Sequence, residues 1–203
     1  MPDPLPIIES GETEICLACG FCCDGTLFGH GVAGPEESPE FLVSIGMTPI
    51  EALSGEKGGF RLPCTHFTGL CSIYGSHRPW VCGVFRCRLL RSVKNGGHTV
   101  AQALQIVVEA KVMRAALLPD FDALHGDAVA LGASPQGDKP SLVARLGAVV
   151  PLLFRPEAAQ FRKKYGKRLL MVAQLASRLT NDFLPKPQPA GSDTTAGVST
   201  LPK

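Results

Sequence analysis

The chain has 203 residues, of which 45% are hydrophobic, so it is long enough and apolar enough to bury a substantial core. Its 20 lysines and arginines nearly balance its 18 aspartates and glutamates. The resulting net charge of +2 argues against a protein that binds nucleic acid or an anionic membrane through its overall field.

Residues 1–14 are predicted to form an N-terminal extension. They are acidic and contain prolines, and they lack the basic start and the apolar run of a secretory signal. In the C-terminal half the longest apolar run, Leu146 to Phe154, is interrupted by Pro151 and is far shorter than the roughly 20 residues needed to cross a bilayer. We therefore expect a cytoplasmic protein with no membrane partner and no nucleic-acid partner.

Residues 15–95 are predicted to be a cysteine-cluster metal-binding region made of short strands and loops. Asp24-Gly25 favours a tight turn. The run from Gly34 to Glu37 is typical of a helix start, but Pro39 lies too far inside for a regular helix. Leu53 to Gly59 is glycine-rich and is predicted to be a loop, and further glycines and prolines divide the later cysteines among turns.

Residues 96–184 contain no cysteine and are predicted to be helical. Thr99 and Gln102 have the spacing of a capping box that opens a helix. An apolar stripe follows at intervals of three to four residues: Val100, Leu104, Val108, Val112 and Ala115. This helix is predicted to end before Pro119, with loops and at most a short helix from Asp120 to Gly137.

Two further helices are expected. Pro140 can occupy the first turn of a helix that runs to about Val150, where Pro151 should break it. The last helix, from Pro156 to Leu184, has an apolar stripe formed by Tyr165, Leu169, Val172, Ala176, Leu179 and Phe183. Residues 185–203 are predicted to be a disordered tail. The predicted fold is mainly α, with an irregular, metal-stabilised, cysteine-rich N-terminal half packed on a helical C-terminal half.

Eight cysteines lie within the first 87 residues, and all are candidate metal ligands: Cys16, Cys19, Cys22, Cys23, Cys64, Cys71, Cys82 and Cys87. In a reducing cytosol, clustered thiols are more often metal ligands or redox thiols than structural disulfides. Thiolates are soft ligands that select zinc, iron-sulfur clusters or Cu(I). The cysteines therefore predict a soft-metal site, with a thiol-disulfide or metal-delivery protein as another class.

The spacing leaves the metal open. Cys16, Cys19 and Cys22 follow the C-x2-C-x2-C pattern of a ferredoxin cluster, but its x3-C-P continuation is absent. The later cysteines do not supply the second C-x2-C pair of a zinc ribbon. Adjacent Cys22 and Cys23 cannot easily hold one small ion together. The thiols can form two four-cysteine sites, or one four-cysteine cluster with four accessory thiols.

The cysteine segment resembles the CxxCxxCC cysteine-cluster family, also called YkgJ-type, a domain described as zinc- or iron-chelating. The resemblance lies in CLACGFCC at 16–23, Cys64, CSIY at 71–74, Arg78-Pro79, Cys82 and FRC at 85–87. It covers about residues 15–87, and Gly83 and Arg86 depart from residues that are common in the family. Longer relatives include flagellin lysine N-methylases, whose cysteine motif is described as holding an iron-sulfur cluster.

The resemblance implies an iron-sulfur cluster, with [4Fe-4S] as the first choice. Its alternatives are a structural zinc-binding module and a protein lysine N-methyltransferase-like enzyme. No catalytic residue is identifiable, so enzyme activity and a protein partner both stay open. Arg78 is predicted to stabilise the anionic site from outside the ligand set, while His66 and His77 are weaker ligand candidates. Tyr74 and Trp80 are expected to shield the site from water.

Overall fold

The computed structural model describes residues 10–51, 58–135 and 139–186. Most of the predicted loop from Leu53 to Gly59, and all but residues 185–186 of the predicted tail, lie outside this part of the chain. The helices of the described residues are α1 (Ser10–Cys19), α2 (Pro39–Ser44), α3 (Trp80–Val84), α4 (Arg88–Lys94), α5 (Val100–Ala130), α6 (Leu142–Val149) and α7 (Ala159–Arg178). The strands are β1 (His30–Val32), β2 (Pro49–Ile50) and β3 (Gly59–Arg61).

The protein is mainly helical, as predicted. Within the described ranges, no helix is both long and apolar enough to cross a membrane. The cysteine-rich half contains a small antiparallel sheet of order β1-β3-β2, in which His30 pairs with Arg61 and Pro49 with Phe60. This half is also more helical than the prediction of short strands and loops, because α1, α2, α3 and α4 all belong to it.

Helix α2 begins where the sequence argued against it. Ser38 is its N-cap and accepts a hydrogen bond from the backbone N–H of Phe41 at 3.2 Å. Pro39 therefore occupies the first helical position, where its missing N–H costs nothing. The helix predicted to start at Gly34 to Glu37 instead starts a few residues later.

The N-terminus of α5 confirms the predicted capping box. The Thr99 hydroxyl accepts from the Gln102 N–H at 3.2 Å, and the Thr99 N–H donates to Gln102 Oε1 at 2.8 Å. The predicted end before Pro119 is wrong, because α5 continues through this proline to Ala130. Leu117 and Phe121, on either side of Pro119, are fully buried, and their packing offsets the roughly 3 kcal/mol that an interior proline costs.

The predicted apolar stripe of α5 is also wrong. Val108 and Val112 are 52% and 64% exposed, whereas Ala103 and Ala110 are completely buried. Helix α5 packs against both α1 and α7, and small side chains allow close helix approach there. The buried face consists of Ala103, Val107, Ala110, Leu117, Phe121, Leu124 and Ala128.

The last helices follow the prediction more closely. Helix α6 ends at Val149 and passes into a 3-10 turn, Val150–Leu153, which contains Pro151. Ser141 is the N-cap of α6, so Pro140 precedes the helix instead of lying in its first turn. A 3-10 turn, Pro156–Ala158, leads into α7, which ends in a π-helical turn, Leu179–Phe183. The predicted stripe of α7 is buried except for its first member, Tyr165, which is half-buried.

Two apolar clusters organise the packing. The larger cluster, here called the helical core, joins buried residues of α5, α6 and α7 to Ile15 and Phe21 of the cysteine-rich half. Phe21 packs edge-on against Phe183, with ring centroids 5.2 Å apart. The smaller cluster, here called the sheet core, comprises Ala33, Leu42, Met47, Phe60 and Leu62. Cys19 and Cys87 belong to the helical core, and Cys64 packs against the sheet core.

Candidate metal centre

One cavity collects the whole set of predicted ligands. It has a volume of about 270 Å³ and is lined by Cys16, Cys19, Cys22, Cys23, Cys64, Cys71, Cys82 and Cys87. All eight are free thiols. The first four cysteines and the last four, which are separated by 40 residues of sequence, therefore face the same space.

The first four thiols are positioned by the end of α1 and the turn after it. Cys16 and Cys19 lie one turn apart on α1, and Gly20, directly after the helix, has a φ of +71°. A Cβ atom at Gly20 would lie 2.2 Å from Cζ of Phe67, so only glycine fits both the conformation and the space. The N–H of Cys23 donates to the Gly20 carbonyl at 2.9 Å, which returns Cys22 and Cys23 toward the cavity.

The second group reaches the cavity from a loop and two short helices. The N–H of Cys64 donates to the Cys23 carbonyl at 2.7 Å, so the two groups are joined through their backbones. Phe67 and Cys71 form an isolated antiparallel bridge that turns the loop back on itself. Cys82 lies within α3, and Cys87 occupies the N-cap position of α4.

The cavity contains one strong cation and, among its described lining residues, no carboxylate. That cation is Arg78, which is only 8% exposed and lies over the Tyr74 ring with its Cζ 4.2 Å from the centroid. Arg78 forms no ion pair with any carboxylate of the described residues. The Tyr74 hydroxyl is buried and likewise has no hydrogen-bond partner in that part of the chain. The Tyr74 hydroxyl thus lacks the hydrogen-bond partner, and Arg78 the counter-charge, that burial normally requires.

Burial dominates the protonation of the thiols. Desolvation raises the pKa of Cys19 to about 12, and the backbone N–H of Phe21 opposes this effect. Desolvation likewise raises the pKa of Cys82 to about 12, although the residue as a whole is exposed at the cavity rim. It also raises the pKa values of Cys16, Cys22 and Cys23. These thiols are therefore protonated at neutral pH, and a metal must displace their protons on binding.

The cysteine side chains are not arranged around a common metal position. Among the residues that the structure describes, no group of three histidines, cysteines or carboxylates is arranged to hold a metal ion. Protonated thiols are poor ligands and attract one another only weakly, and Cys64 Sγ contacts Met47 Sδ at 3.9 Å. Closure of the ligands would accompany their deprotonation by the metal, as in other sites where binding is coupled to folding.

Sequence reasoning missed the charged residues that hold the cysteine segment from outside. Buried Glu12 on α1 pairs with Arg86 at 2.8 Å, so Arg86, a departure from the family pattern, has a structural partner. Asp24 accepts from the Thr26 N–H at 2.9 Å and pairs with Arg114 of α5 at 3.1 Å. The Glu12–Arg86 and Asp24–Arg114 ion pairs join residues that are distant in sequence, so no local sequence pattern predicts them.

The weaker ligand candidates, His66 and His77, are not among the residues that line the cavity. His66 Nε2 lies 2.5 Å from the Ile45 carbonyl and its Nδ1 lies 3.4 Å from Ser72 Oγ, so neither nitrogen is available as a ligand in this arrangement. His77 is exposed. Tyr74 lines the cavity, whereas Trp80 is 43% exposed and is not among the lining residues.

Comparison of the chain with protein-family models, with curated proteins and with solved structures finds no match. The resemblance to the CxxCxxCC family therefore depends on the motif residues alone.

Proposed function

We propose that the protein binds a metal centre through the thiolates of its cysteine-rich half, with an iron-sulfur cluster as the first choice. One observation carries the proposal: eight free thiols line a single cavity that contains a buried arginine and no described carboxylate. When bound, such a centre supplies either a structural cross-link or a site of one-electron transfer.

The buried charge supports an anionic occupant. Removing a cation from water costs several kcal/mol unless a counter-charge is present. Arg78 has no ion-pair partner in the described ranges, and four thiolates around a metal are anionic as a unit. Arg78 and the Tyr74 hydroxyl would then donate toward the ligand sulfurs, as groups around such sites do.

The cavity has room for a cluster of several metal atoms. Its volume of about 270 Å³ is many times the ~10–15 Å³ that one water-sized occupant requires. Structural zinc, held by the same thiols, is the rival outcome. Free thiols throughout also support a reducing compartment, and we propose the cytoplasm. The protein-methylating alternative depends on the resemblance alone.

The test is a metal analysis of the full chain, purified without oxygen. Iron, acid-labile sulfide and zinc are measured per chain, together with the visible absorption spectrum. Iron and sulfide in equal amounts support the cluster, and zinc without sulfide supports the structural alternative. A folded chain that contains neither metal refutes the proposal. His77→Ala is the matched control, because His77 is exposed outside the cavity and its loss should leave the metal content unchanged.

A further inference from the structure

The eight thiols are divided between the two apolar cores. Cys19 and Cys87 are buried members of the helical core, and Cys22 packs against the same core. Cys64 packs against the sheet core instead. The two ends of the cavity therefore have different walls, and each wall contributes its own cysteines.

The backbone supports the same division. Cys16 and Cys19 share α1, and the N–H of Gly20 returns to the Cys16 carbonyl at 3.3 Å, so these residues form one local unit. Cys64 is joined to the backbone of Cys23, and the Phe67–Cys71 bridge keeps Cys71 in the same loop as Cys64.

The remaining cysteines follow the same division. Cys82 belongs to α3, in which the preceding residue, Val81, packs against the sheet core. Ile73, two residues after Cys71, packs against this core as well. Cys87, at the start of α4, is instead a buried member of the helical core.

We infer that the cavity accommodates two four-thiolate centres. The helix-side centre comprises Cys16, Cys19, Cys22 and Cys87, and the sheet-side centre comprises Cys23, Cys64, Cys71 and Cys82. The inference rests on the proposed function, and it assigns the adjacent Cys22 and Cys23 to different centres. Four thiolates are a complete ligand set for tetrahedral zinc and for a [4Fe-4S] cluster. Arg78 is buried and lines the cavity that both centres share, so it is positioned as a counter-charge to their thiolates.

The test uses serine variants of the full chain and measures metal per chain under anaerobic conditions. Cys71→Ser and Cys82→Ser should each halve the metal content, and combining them should cause no further loss because both belong to the sheet-side centre. Cys22→Ser should also halve it. Cys22→Ser combined with Cys82→Ser should remove all metal, since each centre then lacks a ligand.

The adjacent pair provides the sharpest comparison. Cys22→Ser/Cys23→Ser should bind no metal, whereas Cys23→Ser/Cys82→Ser should retain half. A single centre is shown instead if Cys71→Ser removes all metal, or if Cys71→Ser and Cys82→Ser have no effect while Cys22→Ser removes all metal. Cys71 is half-buried and Cys82 exposed, so these variants decide the question even if the helix-side variants fail to fold. A wild-type chain without metal would refute the proposed function, an outcome distinct from a wrong division of the ligands.

Discussion

Gly20 is the residue on which the geometry of the first four thiols depends most. Its φ of +71° lies in the left-handed region, which costs an alanine about 1–2 kcal/mol. A Cβ atom there would also lie 2.2 Å from Cζ and 2.6 Å from Cε2 of Phe67, so the ring would have to move. Overpacking of this kind costs about 1–3 kcal/mol. Gly20→Ala should therefore lower the free energy of unfolding by about 2–5 kcal/mol.

Gly96 offers a matched control. Its φ of +74° is nearly the same, but a Cβ atom at Gly96 would meet nothing within 4 Å. Gly96→Ala should therefore lose only the backbone contribution of about 1–2 kcal/mol. The difference between the two alanine variants isolates the contact with Phe67, and Phe67→Leu combined with Gly20→Ala should recover part of it.

Urea unfolding of the metal-loaded chain, followed by circular dichroism, measures these differences. Gly20→Ala should also reduce metal per chain, because the turn that returns Cys22 and Cys23 begins at this residue. Gly96→Ala should leave the metal content unchanged. Equal destabilisation by the two alanine variants would show that Phe67 does not constrain residue 20.

Two further predictions concern charged groups outside the cavity. Arg86→Met should lower the free energy of unfolding by about 3 kcal/mol, because it leaves the buried Glu12 carboxylate without its ion pair. In urea unfolding, the double variant Glu12→Gln/Arg86→Met should lose less stability than Arg86→Met alone. Equal losses would show that the ion pair is unimportant. The pKa of His125 lies below its usual 6.5 because burial desolvates the ring, Arg145 repels its charge and Asp122 only partly opposes this. The unfolded state therefore binds protons more readily than the folded state. The stability that neutral His125 contributes is fully present above pH 6.5 and is lost as the pH falls through the folded-state pKa. Urea unfolding from pH 8 to pH 5 should show a smaller decrease for His125→Gln, whereas parallel curves would exclude His125 as the cause.

The sequence predicted best where structure depends on neighbouring residues. The Thr99–Gln102 capping box is local chemistry, and it forms as expected. The stripe of α7 was predicted because Leu169, Val172 and Leu179 are large residues at regular spacing, and they are buried. Helix α5 is different, because its buried face depends on alanines, which carry little hydrophobic signal, while its exposed valines suggested the wrong face.

The sequence indicated which residues meet at the candidate site, but not what surrounds them. All eight cysteines of the predicted ligand set line one cavity, while their role as ligands stays a prediction. The placement of Cys16 and Cys19 on a helix was missed, because the segment reads as a motif and has almost no amphipathic pattern. The contact of Arg114 with Asp24 was missed because it spans 90 residues of sequence and depends on how α5 packs.

Helix α5 connects the cysteine-rich half to the helical core along only part of its length. In its first half, Lys111 Nζ donates to the Ala18 carbonyl at 2.6 Å, and Arg114 holds Asp24 in the turn after Cys23. Beyond Pro119 its polar partners lie on α6 and α7, where Arg145 donates to Asp122 at 2.6 Å and Tyr165 donates to Asp127 at 2.7 Å. The predicted boundary between residues 95 and 96 therefore precedes the helix whose first half contacts the cysteine segment. The same half is also held by α7 through the Arg178–Glu109 ion pair, so order at the candidate site is coupled to the packing of the helical core.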